Sequence, residues 1–264
     1  LSSELFVMTV IFMLLRQFGQ GIMAMVSRNT LAKWFERRRG IVSGISGIFV
    51  AFSFSGAPLF MNIIIEDYDY SGSMVLMALI LGFGMAFIGW LFFRDNPEDC
   101  GLLMDGKKIS PMETTNPTTE PEVTLKEAMR TYNFWIFCLG LCSAALIVTG
   151  FTFHISSIGA LAGLSRMEAY ELFLPMSVIS VISHFVAGWA SDRMPLKYLL
   201  MVLLVGLAVG SLGILNLESF WYRLMLVAGF GVQGGVWGCL TVVAWPRFYG
   251  RKHLGAISGA FMGA

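Results

Sequence analysis

Three ionisable side chains stand inside stretches that are otherwise apolar: Arg16, His154 in FTFHISS, and His184 in SVISHFVAGWASDR. An arginine held within a membrane-length run is costly, so it marks either a pathway or a paired position. A histidine with its ordinary pKa of about 6.5 changes charge near neutrality, so it can bind an anion when protonated or carry a coupled proton. Gln20 lies one helical turn beyond Arg16, and Gln233 occupies a matching place late in the chain; both offer neutral hydrogen-bonding groups. These five residues are the candidates for a solute or proton pathway. The competing readings are snorkelling or helix pairing for Arg16, and plain packing for each histidine. No His or Cys pair has metal-ligand spacing with carboxylates, and there is no nucleophile elbow, phosphate loop or buried carboxylate pair. Neither an enzyme nor a metal or other cofactor is expected.

The elements that must position these groups are membrane spans. Aliphatic, aromatic and cysteine residues fill 56% of 264 positions, charged residues 13%, and the mean hydropathy is +0.71. That balance excludes an ordinary soluble domain. A crossing takes about 20 apolar residues, and such runs occupy 6–26, 40–65, 73–93, 134–161, 169–190, 198–217 and 220–245, with the start of an eighth near Gly255. The net charge of +1 gives no reason to expect an acidic partner, and no nucleic acid is expected. Its distribution is informative: apart from Arg16, only Arg166 and Arg223 of the 18 Lys and Arg fall on one side of the membrane. By the positive-inside rule the other side is cytoplasmic and Leu1 lies outside. The expectation is a multi-pass protein of the plasma or cell membrane, in contact with the lipid bilayer.

A helix-loop-helix recurs. Phe18-Gly19-Gln20-Gly21 is followed by Trp34-Phe35, Arg37-Arg38-Arg39 and Gly40-Ile41-Val42-Ser43-Gly44; Phe230 to Gly234 is followed by Arg247-Phe248, Arg251-Lys252 and Gly255-Ala256-Ile257-Ser258-Gly259. The duplication predicts two helical halves in parallel orientation. Residues 1–93 form the C-terminal part of the first, 132–264 most of the second, and 94–131 a mobile cytoplasmic linker broken by Pro97, Pro111, Pro117 and Pro121. Leu125 to Arg130 is expected as a short amphipathic helix on the membrane surface. Glu66-Asp67-Tyr68-Asp69 reads as an outer loop. Gly229, Gly231, Gly234, Gly235 and Gly238 make the seventh span either closely packed or pathway-lining. The four cysteines give no disulfide framework. The missing initiator Met and the cut eighth span predict a fragment. Parallel repeats are one plan for secondary transporters, with substrate bound at mid-membrane between the halves.

Gly188-Trp189-Ala190-Ser191-Asp192-Arg193-Met194-Pro195-Leu196-Lys197 resembles the G-x-L-a-D-R-x-G-r-k signature of the major facilitator superfamily, with Ala190, Pro195 and Leu196 as departures. Arg16 to Gly21 is similar to that family's R-x-x-q-G pattern in its fourth helix. Trp34-Phe35 with Arg39-Gly40 is similar to its W-F-x-x-x-R-G loop. The resemblance implies an all-α polytopic membrane bundle of major facilitator type, incomplete, with seven full spans plus the start of an eighth as helices four to eleven of twelve. The nearest branch is that of oxalate:formate antiporters and monocarboxylate carriers. There the eighth helix often reads G-R-x-x-x-G-x-x-S-D-R with a carboxylate-binding arginine, whereas here Ser183-His184 takes the G-R place. The implied function is secondary active transport of a small anionic, monocarboxylate-like solute by alternating access, through proton symport or exchange. A non-transporting receptor or scaffold on the same fold is the competing class. Gly188, Asp192, Arg193 and Lys197, with Arg251 and Lys252, would form a cytoplasmic gate, Asp192 facing the positive N-terminus of the eighth span. A loop that only sets topology is the alternative.

Overall fold

A computed structural model describes residues 3–106 and 123–263. The chain starts as one helical rod: α1 (Ser3–Leu15), a π-helical stretch Arg16–Ile22, and α2 (Met23–Trp34). A turn through Phe35 leads to α3 (Arg39–Leu79), which passes through a second π-helical stretch, Ile80–Met85, into α4 (Ala86–Phe92). Beyond the undescribed residues come α5 (Leu125–Ala128), α6 (Tyr132–Leu161), α7 (Arg166–Glu171), α8 (Phe173–Ser191), α9 (Leu196–Gly213), α10 (Phe220–Tyr249) and α11 (Leu254–Gly263). No β-strand forms among the described residues. The protein is an all-α membrane bundle.

Among the described residues five helices are long and apolar enough to cross a membrane, and Glu4–Leu15, Arg39–Val50 and Leu254–Gly263 are shorter apolar helices. The expected outer loop at Glu66 to Asp69 is compressed to a kink at which two helical segments meet. Helix continues to Tyr68, and the break is confined to Asp69, whose φ of 58° and ψ of 170° leave the helical region. The Ser73 hydroxyl donates to the Asp69 carbonyl at 2.5 Å and restores a partner at the break.

The helix at the centre is α10. Of its apolar window 72% is buried, against 0% for Asp67–Phe92, which lies on the surface. Its glycines explain this. Gly229 meets the backbone of Gly206 and Gly210 on α9, while Gly231 and Gly235 meet Met176, Ile179 and Ser180 on α8. With no Cβ on these faces, the helix backbones come together, and dispersion contacts replace what hydrophobicity does not supply inside a bilayer. Phe134, Trp245 and Phe261 stack around the basic end of α10, with centroids 5.6 and 5.2 Å apart.

The segment expected as an open linker departs from that expectation at both described ends. At the front, Lys33 pairs with Asp95 at 2.8 Å, and the Trp34 Nε1 donates to the Arg94 carbonyl at 3.3 Å. Asp105, at a φ of 61°, accepts the backbone N–H groups of Glu36 and Arg37 at 3.3 and 3.0 Å. Residues 94–106 therefore fold back over the turn between α2 and α3, because that turn exposes backbone donors that a carboxylate satisfies. Pro111, Pro117 and Pro121 lie outside the described residues. At the back, α5 has a capping box between Thr124 and Glu127. It packs on the end of α10: Ala128 is buried, Val123 N donates to the Tyr249 carbonyl at 3.3 Å, and Thr131 meets the Tyr249 hydroxyl at 2.5 Å. The cysteines are free, Cys138 and Cys142 being one turn apart with sulfurs 4.0 Å from each other.

Candidate functional site

The first four helices meet the later ones along α3 and α8, and the approach is governed by small residues. At Gly40 and Gly188 the two backbones touch. A Cβ built on Gly40 would lie 2.7 Å from the Gly188 carbonyl carbon, and one on Gly188 would lie 2.8 Å from that of Gly40. One turn further along, a Cβ on Gly44 would lie 3.0 Å from the Phe185 ring. Two turns along, Gly47 leaves the space that His184 fills, and Gly238 on α10 leaves the space on its other side; a Cβ would lie 2.7 Å and 2.9 Å from the imidazole. His184 is thus a half-buried imidazole between two glycines on different helices, with its Nε2 3.0 Å from the Ser43 hydroxyl of α3. Which atom donates depends on the tautomer.

At the basic end of this seam stands Asp192, just past the last residue of α8. Its carboxylate accepts the backbone N–H of Gly40, in the first turn of α3, where unpaired N–H groups and the helix dipole favour an anion. Although the residue is exposed along much of its surface, its carboxyl loses water against α3. That burial pushes its pKa above the ordinary carboxylate value, against the downward pull of the Gly40 N–H and of Arg193, Arg247 and Arg39. The helix N-terminus that Asp192 faces therefore belongs to α3 and not to the eighth span; the physical reason is the Gly40–Gly188 contact, which brings α3 within reach. The other gate candidates divide. Arg251 donates to the Lys33 carbonyl at 3.0 Å and to Glu98 at 3.3 Å, joining the turn before α11 to α2 and to residues 94–106. Arg193 stays on its own helix, donating to the Trp189 carbonyl and lying 4.3 Å over that indole, and Lys197 lies 5.1 Å over Tyr198. Lys252 is exposed.

A second contact between the two sets of helices joins α2 to α10 and α11. Asn29 and Ser258 exchange hydrogen bonds at 3.0 and 3.1 Å, and Met25 packs on Gly259. Arg28 lies over the Trp237 ring of α10. Buried Arg39 closes the turn, donating from Nε to the Phe35 carbonyl at 2.9 Å and from Nη2 to the Ala32 carbonyl at 2.8 Å, where the end of α2 has carbonyls without helical partners. Arg247 donates to the Ser191 carbonyl at the end of α8.

Of the remaining pathway candidates, Gln233 and His154 are not gathered with His184. Gln233 is buried on the face of α10 that packs against Gly206 of α9, and its Oε1 has no hydrogen-bond partner among the described residues. His154 is exposed on α6. The backbone of Arg16 and Gln20 belongs to the π-helical stretch; their side chains lie outside the described residues. Ser43, Trp237, Asn29 and Arg28 were not singled out by type or spacing, since each reads alone as an ordinary helix residue or as part of a basic loop. The available signal was period: Gly40, Ser43, Gly44 and Gly47 make one small-residue face of α3. Among the described residues no group of three or more His, Cys, Asp and Glu gathers to hold a metal ion. Chemically, the arrangement holds α3, α8 and α10 together through close backbone contact and one hydrogen bond between side chains, without a metal cluster among the described residues.

A family model described as Major Facilitator Superfamily matches residues 1–264. A curated relative from Escherichia coli (strain K12), described as the uncharacterized MFS-type transporter YhjX, is 23% identical over 243 residues. The match covers 87% of this chain and 55% of the relative, so the chain spans about half the length of the curated relative it matches.

Proposed function

Because the chain belongs to the Major Facilitator Superfamily, we propose that it carries most of the two-halved framework of a secondary active transporter for a small anionic, monocarboxylate-like solute, moved by alternating access with proton symport or exchange. In this reading residues 1–93 and 132–264 belong to opposite halves, 94–131 links them, and the basic end is cytoplasmic. The observation that carries it is the seam from Gly47 and His184 to Gly40, Gly188 and Asp192. It consists of backbone contact, one neutral hydrogen bond and one carboxylate on a helix N-terminus. Such contacts are individually weak, and all depend on the same close approach, so they form or break together, as a gate between two states requires. The seam seals the pathway on the cytoplasmic side. His184 is the residue placed to sense a proton there, and Arg16 the cation further along the first span.

The test is reconstitution of the full-length protein into liposomes with an imposed pH gradient, using formate, acetate, lactate and oxalate as solutes. Saturable uptake of at least one, lost when the gradient is collapsed, is the expected result for proton coupling; uptake that instead needs a counter-solute inside identifies exchange. Absence of saturable flux for every solute rejects transport of this class and favours a receptor or scaffold.

A further inference from the structure

By charge count Arg28 belongs to the basic loop that orients the chain, but the fold puts it on α2, half-buried against α10 and α11. Its guanidinium carbon lies 5.1 Å from the centroid of the Trp237 ring, and its Nη1 lies 3.9 Å from the sulfur of Met262. Both partners are neutral. The ion pairs formed among the described residues are Lys33 with Asp95 and Arg251 with Glu98, and neither includes Arg28. Burial is what bears on its charge, and no carboxylate of the described residues pairs with it. A guanidinium carries five N–H donors in a planar fork, and an aromatic face with a thioether satisfies few of them.

The surroundings are built to hold it in place. Trp237 is fixed by its Nε1, which donates to the Leu141 carbonyl of α6 at 3.1 Å, so the indole presents its face to Arg28. Next along α2, Asn29 is fixed by Ser258 of α11. A guanidinium fork with no carboxylate partner among the described residues, held against a flat apolar wall, is the chemistry of a carboxylate site.

We propose that Arg28 is an anion-binding residue at the basic end of the pathway, taking the carboxylate of the transported solute in its fork while Trp237 and Met262 contact the solute's apolar body. This rests on the reading of an anionic solute above. It also explains why a guanidinium is placed here: Arg28 is partnered when solute is present, and it falls back on the indole when solute is absent. The preferred ligand is a small carboxylate with a short apolar or planar body, and the corresponding amide should be rejected.

The test uses the full-length protein in liposomes, with acetate, lactate and oxalate, and with lactamide as the uncharged probe. Arg28→Gln should raise the half-saturation concentration for the carboxylate taken up by wild type more than tenfold. Arg28→Lys keeps the charge but loses the planar fork, and should raise it three- to tenfold with the maximal rate retained. In detergent, adding the same carboxylate should change the tryptophan fluorescence of wild type but not of Arg28→Gln, because the guanidinium leaves the indole only when it has an anion to bind. An unchanged half-saturation in Arg28→Gln overturns the proposal and makes Arg28 a packing residue of the gate. Should Arg28→Gln fail to insert, an unchanged half-saturation in Arg28→Lys overturns it equally. If wild type takes up lactamide saturably and no carboxylate at all, the anionic reading itself falls, an outcome distinct from carboxylate uptake that ignores residue 28.

Discussion

Gly40→Ala isolates the seam with one methyl group. A Cβ at this position would lie 2.7 Å from the Gly188 carbonyl carbon and 2.8 Å from the Ser191 hydroxyl oxygen, and it would also press on the Gly188 carbonyl oxygen. Ordinary contact begins near 3.4 Å, so α3 and α8 must part by at least ~0.7 Å, and the obstacle is backbone that has no rotamer to change. Overpacking of this kind costs about 1 to 3 kcal/mol. If the cost falls on the closed seam alone, the balance between closed and open shifts about 5- to 150-fold. The same separation draws the Gly40 N–H away from Asp192 and Ser43 away from His184, so the loss should sit toward the upper end. The assay is the labelling rate of Ser43→Cys by a maleimide added to the basic side of the membrane, in a full-length background without other reactive thiols. Ser43 is 2% exposed, so the thiol should react slowly in the parent and at least fivefold faster with Gly40→Ala added. Equal rates in both, with Gly40→Ala inserted normally, would refute the claim that the glycine pair holds the seam.

Two further outcomes follow from neighbouring groups. His184→Gln keeps a hydrogen-bonding group near Ser43 but cannot gain a charge, so pH-driven uptake by the complete protein should fall while membrane insertion is spared; unchanged uptake with an unchanged pH profile would make the imidazole a packing residue. Asp192 has a pKa raised chiefly by burial, so its favourable contribution is fully present below the ordinary value and is lost as the pH rises through the elevated one. Asp192→Asn stays neutral and retains an oxygen for the Gly40 N–H, so it should abolish that part of the acid stabilisation and match or slightly exceed wild-type thermal stability at pH 7. A wild-type minus variant difference in melting temperature that does not vary between pH 4 and pH 7 would show that Asp192 titrates as an exposed carboxylate.

What the sequence determined by itself was the class of element and its solvent. Apolar runs of crossing length admit only helices among these spans, because backbone groups in hydrocarbon must bond within their own segment; that constraint is local and can be read one run at a time. The GWASDRMPLK stretch and the repeated glycine-glutamine motifs, which lie within helices, were legible for the same reason, as motifs contained in a single window. Tertiary structure decided which windows meet. The three-helix corner around His184 needs Gly47 from α3 and Gly238 from α10, residues 191 positions apart, and no spacing within either helix encodes that pairing. Asp192 carries a charge suited to any helix N-terminus, and the fold chose that of α3 because Gly188, four residues earlier on α8, admits the Gly40 backbone. Arg28 illustrates the opposite failure: a cation near the end of an apolar run looks like a topological anchor until the rotation of α2 turns it onto Trp237. Helix rotation and crossing point are set by packing over many side chains at once, so only the assembled bundle distinguishes an arginine that faces water from one packed on an aromatic ring.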